Sequence, residues 1–182
     1  MAHNSDTAEY ITVATLGNST DFGDLVTVHR DHGVAGNGVR GLICAGLNAS
    51  GNRIKNIDYI IIASLGNASD FGDITTETGQ CASCGDGTKV LIGGGSDGSA
   101  TDTIEYVNAA STGNASDFGN LTQARDYFTA LSDGTKGVFG AGTGATRYDI
   151  IDYVVMASLG NASDFGNLIR VKSEIGQGMS GD

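Results

Sequence analysis

An all-β chain assembled from one repeated four-stranded unit is what the sequence predicts. Three observations carry this: a motif that returns four times, turn dipeptides at fixed places between apolar runs, and a composition with 29 glycines and no proline. The segment Gly17-Asn18-Ser19-Thr20-Asp21-Phe22-Gly23 returns from Gly66 to Gly72, from Gly113 to Gly119 and from Gly160 to Gly166, at spacings of 49, 47 and 47 residues. Twelve positions before each of those phenylalanines stands a tyrosine preceded by an acid: Glu9-Tyr10, Asp58-Tyr59, Glu105-Tyr106 and Asp152-Tyr153. The repeat signature is therefore Tyr10, Phe22, Tyr59, Phe71, Tyr106, Phe118, Tyr153 and Phe165, eight of the twelve aromatic residues. Such regularity marks one supersecondary unit used about four times, each copy burying its aromatic pair against the next.

Within a unit the strand signals come in a fixed order. Asp126–Ser132 is a short apolar run, Asp133-Gly134 interrupts it, and Thr135–Phe139 follows as a second run. Asn-Gly or Asp-Gly between apolar runs signals a hairpin, through a type I′ turn with positive φ at both central residues. The same device stands at Asn37-Gly38 and Asp86-Gly87. Glycines then end the second run, at Ala45-Gly46, Gly93-Gly94-Gly95 and Gly140-Ala141-Gly142. A third run, such as Ile57-Asp58-Tyr59-Ile60-Ile61-Ile62, is β-branched and continuously apolar, as expected of a strand covered on both faces. Asp-Phe-Gly forms a short fourth strand. Four antiparallel strands per unit of about 47 residues is the grammar of a propeller blade.

Labelling the strands a to d, the chain opens with a c–d pair (Tyr10–Leu25), runs through three full successions and ends in a lone a-like run, Val171–Met179. One repeat domain over residues 1–182 is expected, with cores at 10–25 (partial), 28–74, 77–121, 124–168 and 169–182 (partial). The ring is then incomplete within the chain or completed by another chain, since open strand edges invite strand addition.

The unit Arg125, Asp133-Gly134, Gly140–Gly142, Tyr153 and Phe165 resembles a kelch-type β-propeller repeat, in which a diglycine ends the second strand and a tyrosine and a tryptophan follow. Phenylalanine stands here where that family has tryptophan, and the strict diglycine is placed at Gly93-Gly94. The element Gly-Asn-Ala-Ser-Asp-Phe-Gly-Asn-Leu after an Ile-Asp-Tyr strand is similar to repeats in structural and tail-appendage proteins of marine bacteriophages. That resemblance implies a non-enzymatic virion component, a fibre, tail or capsid-surface (decoration) protein. Assembled in the host cytoplasm, it would bind other virion proteins or copies of itself, with a host-surface glycan or protein as a further partner. The alternative is a cellular β-propeller interaction module that binds a protein or a carbohydrate.

Charge narrows the partners further. Ten Lys and Arg against 21 Asp and Glu give a net charge of −11, and no basic cluster exists to hold phosphates, so nucleic acid is not expected as a partner. No apolar run approaches the roughly 20 residues of a membrane helix, so no membrane insertion is expected. Met1–Asp6 lacks the basic and apolar regions of a signal peptide, and three cysteines make a disulfide framework improbable.

No motif stands out as catalytic, and no cofactor is expected. Asp-Phe-Gly occurs in the metal site of protein kinases, but the companion motifs are missing and a catalytic motif does not recur at even spacing. Asp70 and its equivalents are read as turn caps and Phe71 as packing between blades. Asp97 and Asp102, around Gly93–Gly98, are the weak calcium candidates, set against a plain inter-strand loop. Cys81 and Cys84 have zinc-like spacing but lie on a strand that points them to opposite faces, which favours buried apolar roles. His29 and His32 lack a third ligand, and Arg30-Asp31 aligns with Arg125-Asp126 as an ion pair at the start of strand a. The Asn-X-Ser/Thr triplets, such as Asn67-Ala68-Ser69, match glycosylation sites only formally without a secretory signal.

Overall fold

The computed structural model describes residues 5–174, and every regular element among them is a strand. Two strands, β1 (Thr7–Tyr10) and β2 (Thr20–Asp24), form a first sheet. A second contains β3 (Gly33–Gly36), β4 (Arg40–Leu47), β5 (Arg53–Ile61) and β6 (Ser69–Asp73). A third contains β7 (Ala82–Gly85), β8 (Lys89–Gly93), β9 (Thr103–Asn108) and β10 (Ser116–Asn120). The fourth contains β11 (Thr129–Ser132), β12 (Lys136–Gly140), β13 (Tyr148–Val155) and β14 (Ser163–Lys172). Each is an antiparallel meander in chain order, so the a–b–c–d succession is observed three times, with a c–d pair in front. The first strands β3, β7 and β11 lie side by side.

Local chemistry explains each element. The hairpin after strand a forms at the expected dipeptides, but by a different turn. Gly38, Gly87 and Gly134 have φ near +80°, while Asn37, Asp86 and Asp133 are not among the residues with positive φ. The central pair is therefore Gly38-Val39 and its equivalents, with the φ signs of a type II′ turn. The preceding side chain makes that turn, because Asn37 Oδ1 accepts from the Val39 and Arg40 amides at 3.0 and 2.8 Å. Asp86 and Asp133 do the same in the next two sheets.

Asp-Phe-Gly is a β-bulge. In the second sheet Ile57 pairs with Gly72 and Asp58 with Asp70, which leaves Phe71 as the extra residue. Phe22, Phe118 and Phe165 occupy the same place in the other three sheets. The bulge aims the phenylalanine off the sheet, and the tyrosine of the neighbouring strand meets it edge-to-face, at 5.8–6.2 Å between ring centroids. The turn-cap reading of Asp70 is not what is seen: its register partner is Asp58, and only Asp164 bonds a turn amide, that of Gly166 at 3.0 Å.

Two apolar clusters fill the spaces between sheets. One joins Leu42, Cys44, Ile57 and Phe71 of the second sheet to Val90, Ile92 and Val107 of the third. The other joins Leu91, Ile104 and Phe118 of the third to Phe139, Val154 and Met156 of the fourth. Cys81 faces the first cluster and Cys84 the second, so the pair does point to opposite faces. Burial raises both thiols, Cys81 to about 11 and Cys84 to about 12, and raises Cys44 as well. All three are free. The expected terminal a-like run divides: Val171 and Lys172 extend β14, and Ile175–Met179 lie outside the described residues.

Candidate functional site: the junctions between repeats

The repeated polar residues converge on the places where one unit meets the next. The Gly-Asn-Ala loop of each unit clamps the bulge strand of the unit before it. Gly66 and Ala68 donate backbone N–H groups to the carbonyls of Phe22 and Asp24, at 2.9 and 2.7 Å. Asn67 Oδ1 accepts from the Asp24 amide at 3.1 Å. Gly113-Asn114-Ala115 repeats the clamp on Phe71 and Asp73, and Gly160-Asn161-Ala162 repeats it on Phe118 and Asn120. The glycine after each phenylalanine makes room: a Cβ on Gly72 would lie 2.5 Å from the Gly113 carbonyl oxygen. The formal glycosylation triplets at Asn67, Asn114 and Asn161 are thus clamp residues.

In the three full units the acid before the tyrosine is a second latch. Asp58 Oδ2 accepts from the amides of Val26 and Thr27, at 2.9 and 3.1 Å. Glu105 accepts from Thr75, and Asp152 accepts from both the amide and the hydroxyl of Thr122. These carboxylates are buried, where an unpaired charge is costly, and two of them face a basic side chain. Asp152 pairs with buried Arg125 at 2.9 Å, and Asp58 faces His29 Nε2 at 3.2 Å. Glu105, longer by a methylene, belongs to the unit that has Thr78 at that position. Burial lowers the Arg125 pKa, and the Asp152 charge opposes that shift.

This geometry corrects the alignment of the first unit by one residue. His29, Thr78 and Arg125 are equivalent, as are Arg30, Gly79 and Asp126, whose isolated bridges pair with Leu47, Ser96 and Thr143. The partner of Arg125 is accordingly Asp152 across the sheet rather than the adjacent Asp126. His29 Nδ1 also meets the Ala45 carbonyl at 2.7 Å, so both of its ring nitrogens face oxygen. His32 packs edge-on to His29 at 5.9 Å, and burial lowers its pKa.

A third device links the starts of successive units. Asp31, Gln80, Tyr127 and Glu174 all have φ between 51° and 58°, a left-handed conformation uncommon outside glycine. They form a ladder: Gln80 N–H donates to Asp31 O at 2.8 Å, Tyr127 to Gln80 at 3.1 Å and Glu174 to Tyr127 at 2.9 Å. Ala45-Gly46, Gly94-Gly95 and Ala141-Gly142 are equivalent pairs at the end of the second strand of each full unit, all with positive φ. The second residue of each pair donates to Thr78, Arg125 and Lys172 in turn, which binds each unit to the start of the next.

The remaining candidates are scattered. Asp97 is exposed; it closes a turn by accepting from the Ser99 amide at 3.2 Å and lines an open polar hollow with Arg53, Lys55 and Glu77. Asp102 is also exposed, and its carbonyl accepts from Leu121. Among the described residues no three His, Cys, Asp or Glu side chains gather as a metal site, and no helix is long and apolar enough to cross a membrane.

The clamp asparagines and the latch acids were legible as repeats, and their partners were not. The signal was there: Asn67, Asn114 and Asn161 recur as strictly as the phenylalanines. Comparison with protein-family models and with curated proteins finds no match.

Proposed function

We propose that this chain is a non-enzymatic assembly scaffold of a bacteriophage virion, a fibre, tail or capsid-surface component built as part of a kelch-like β-propeller. The observation that supports it best is the repeated junction: the clamp loops and the buried latch carboxylates join one unit to the next. Side-by-side first strands and the axial ladder of Asp31, Gln80, Tyr127 and Glu174 favour blades arranged around an axis. Three four-stranded sheets and a two-stranded one are then an arc of a ring, with its partners at the open ends.

Mass spectrometry of purified particles tests this reading. The chain is expected among the virion proteins, and its absence from particles would overturn the proposal. The polar hollow around Arg53, Lys55, Glu77 and Asp97 favours a second reading, a module that binds a sugar. A glycan array separates the two: bound sugar lost on Arg53→Ala, with no chain in particles, would select the second.

A further inference from the structure

The two ends of the repeat array carry the two halves of one more junction, and the geometry points to a second copy of this chain as the occupant, docked head to tail. This rests on the reading of the chain as an assembly scaffold and names its partner.

The leading half is on the fourth sheet. Phe165 is 56% exposed, whereas Phe71 and Phe118, at the same position, are 2% exposed beneath the sheet that follows them. Leu131 is exposed too, while its equivalents Ala35 and Cys84 are buried in the two inter-sheet clusters. At Gly119 an added Cβ would lie 2.3 Å from the Gly160 carbonyl oxygen, and at Gly166 it would meet nothing within 4 Å. The clamp seat is therefore built at Phe165–Asn167 and unfilled among the described residues.

The receiving half is on the first sheet. Val13 is 92% exposed, whereas Met156, its equivalent in the fourth sheet, is 1% exposed against the third. Ile11 is exposed where Val107 and Val154 are buried. Gly17-Asn18-Ser19 is the clamp loop, equivalent to Gly66-Asn67-Ala68. The three internal junctions show what each half binds, so the match needs no new chemistry.

Docked in that register, Gly17 and Ser19 of one copy donate to the Phe165 and Asn167 carbonyls of the other, and Asn18 Oδ1 accepts from the Asn167 amide. Lys136 supplies one more bond. Its equivalents Arg40 and Lys89 reach forward to the carbonyls of Ala109 and Met156, at 3.2 and 3.0 Å. The matching acceptor on the second copy is the Val13 carbonyl. Because the two faces differ, the contact is heterologous, and it propagates until a ring closes or a filament forms.

Light scattering of this chain over a concentration series tests the inference, with two charge-bearing variants. Leu131→Asp/Phe165→Asp blocks one face and Ile11→Asp/Val13→Asp the other. All four positions are exposed, so circular dichroism and melting should stay near the parent's. The unmodified chain is expected to associate, each variant to be monomeric, and an equal mixture of the two to form a dimer and nothing larger. A parent that stays monomeric at every concentration overturns the inference, as does association that survives both variants. Particles that contain a chain found monomeric in solution would leave the scaffold reading standing and remove only this partner.

Discussion

At the scale of single residues, the buried ions decide what the chain tolerates. Asp152 holds Arg125 and the Thr122 backbone at once, and both charged side chains are fully buried. Replacing Asp152 by Ala leaves a buried guanidinium unpaired, which costs about 3–5 kcal/mol. Asp70→Ala removes only an exposed side chain and should stay within about 0.5 kcal/mol. Urea denaturation of the two variants measures the contrast. One histidine contributes a pH response. His32 binds its proton more weakly folded than unfolded, since burial and the neighbouring His29 both lower its pKa. Its contribution is thus present above the ordinary histidine value of about 6.5 and is lost as pH falls through and below it. Melting points from about pH 7 to pH 5 should drop, and His32→Phe, which copies Phe128 of the third full unit, should flatten part of that slope.

At the scale of elements, the bulge and the clamp form one device. Asp-Phe-Gly throws a phenylalanine out of the sheet, and the glycine beside it leaves space for the next Gly-Asn loop. Gly119 and Gly166 have similar φ values of 150° and 139°, but only Gly119 faces a neighbour. Gly119→Ala pays for both the backbone conformation and the collision with Gly160, whereas Gly166→Ala pays for the conformation alone. The first should therefore destabilise by more than the second, by at least about 1 kcal/mol, the cost of one broken clamp hydrogen bond. Equal losses in a denaturation comparison would mean that the clamp contributes nothing.

At the scale of the whole molecule, stability should be graded, because each sheet of a repeat array leans on its neighbours. The third sheet is covered on both faces, and the first is a two-stranded pair with Ile11 and Val13 exposed. Amide hydrogen exchange should run fastest in β1 and β2 and slowest in β8 and β9. Uniform protection across all four sheets would contradict a nearest-neighbour array.

The sequence by itself determined the unit, its count and its strand order, because a period near 47 residues with Asn-Gly and Asp-Gly punctuation leaves few other solutions. It determined as well that the cysteines face opposite ways, since strand alternation settles that at a spacing of three. Which residues hold neighbouring units together was decided by tertiary structure alone. The bond from Asn67 to Asp24 spans 43 residues and that from Asp58 to Val26 spans 32, and no local propensity encodes either. The type of hairpin turn belongs there too, because it follows from backbone φ signs. A repeat fixes what each unit is; only packing one unit on another shows which of its groups are spent inside the array and which are left over at its ends.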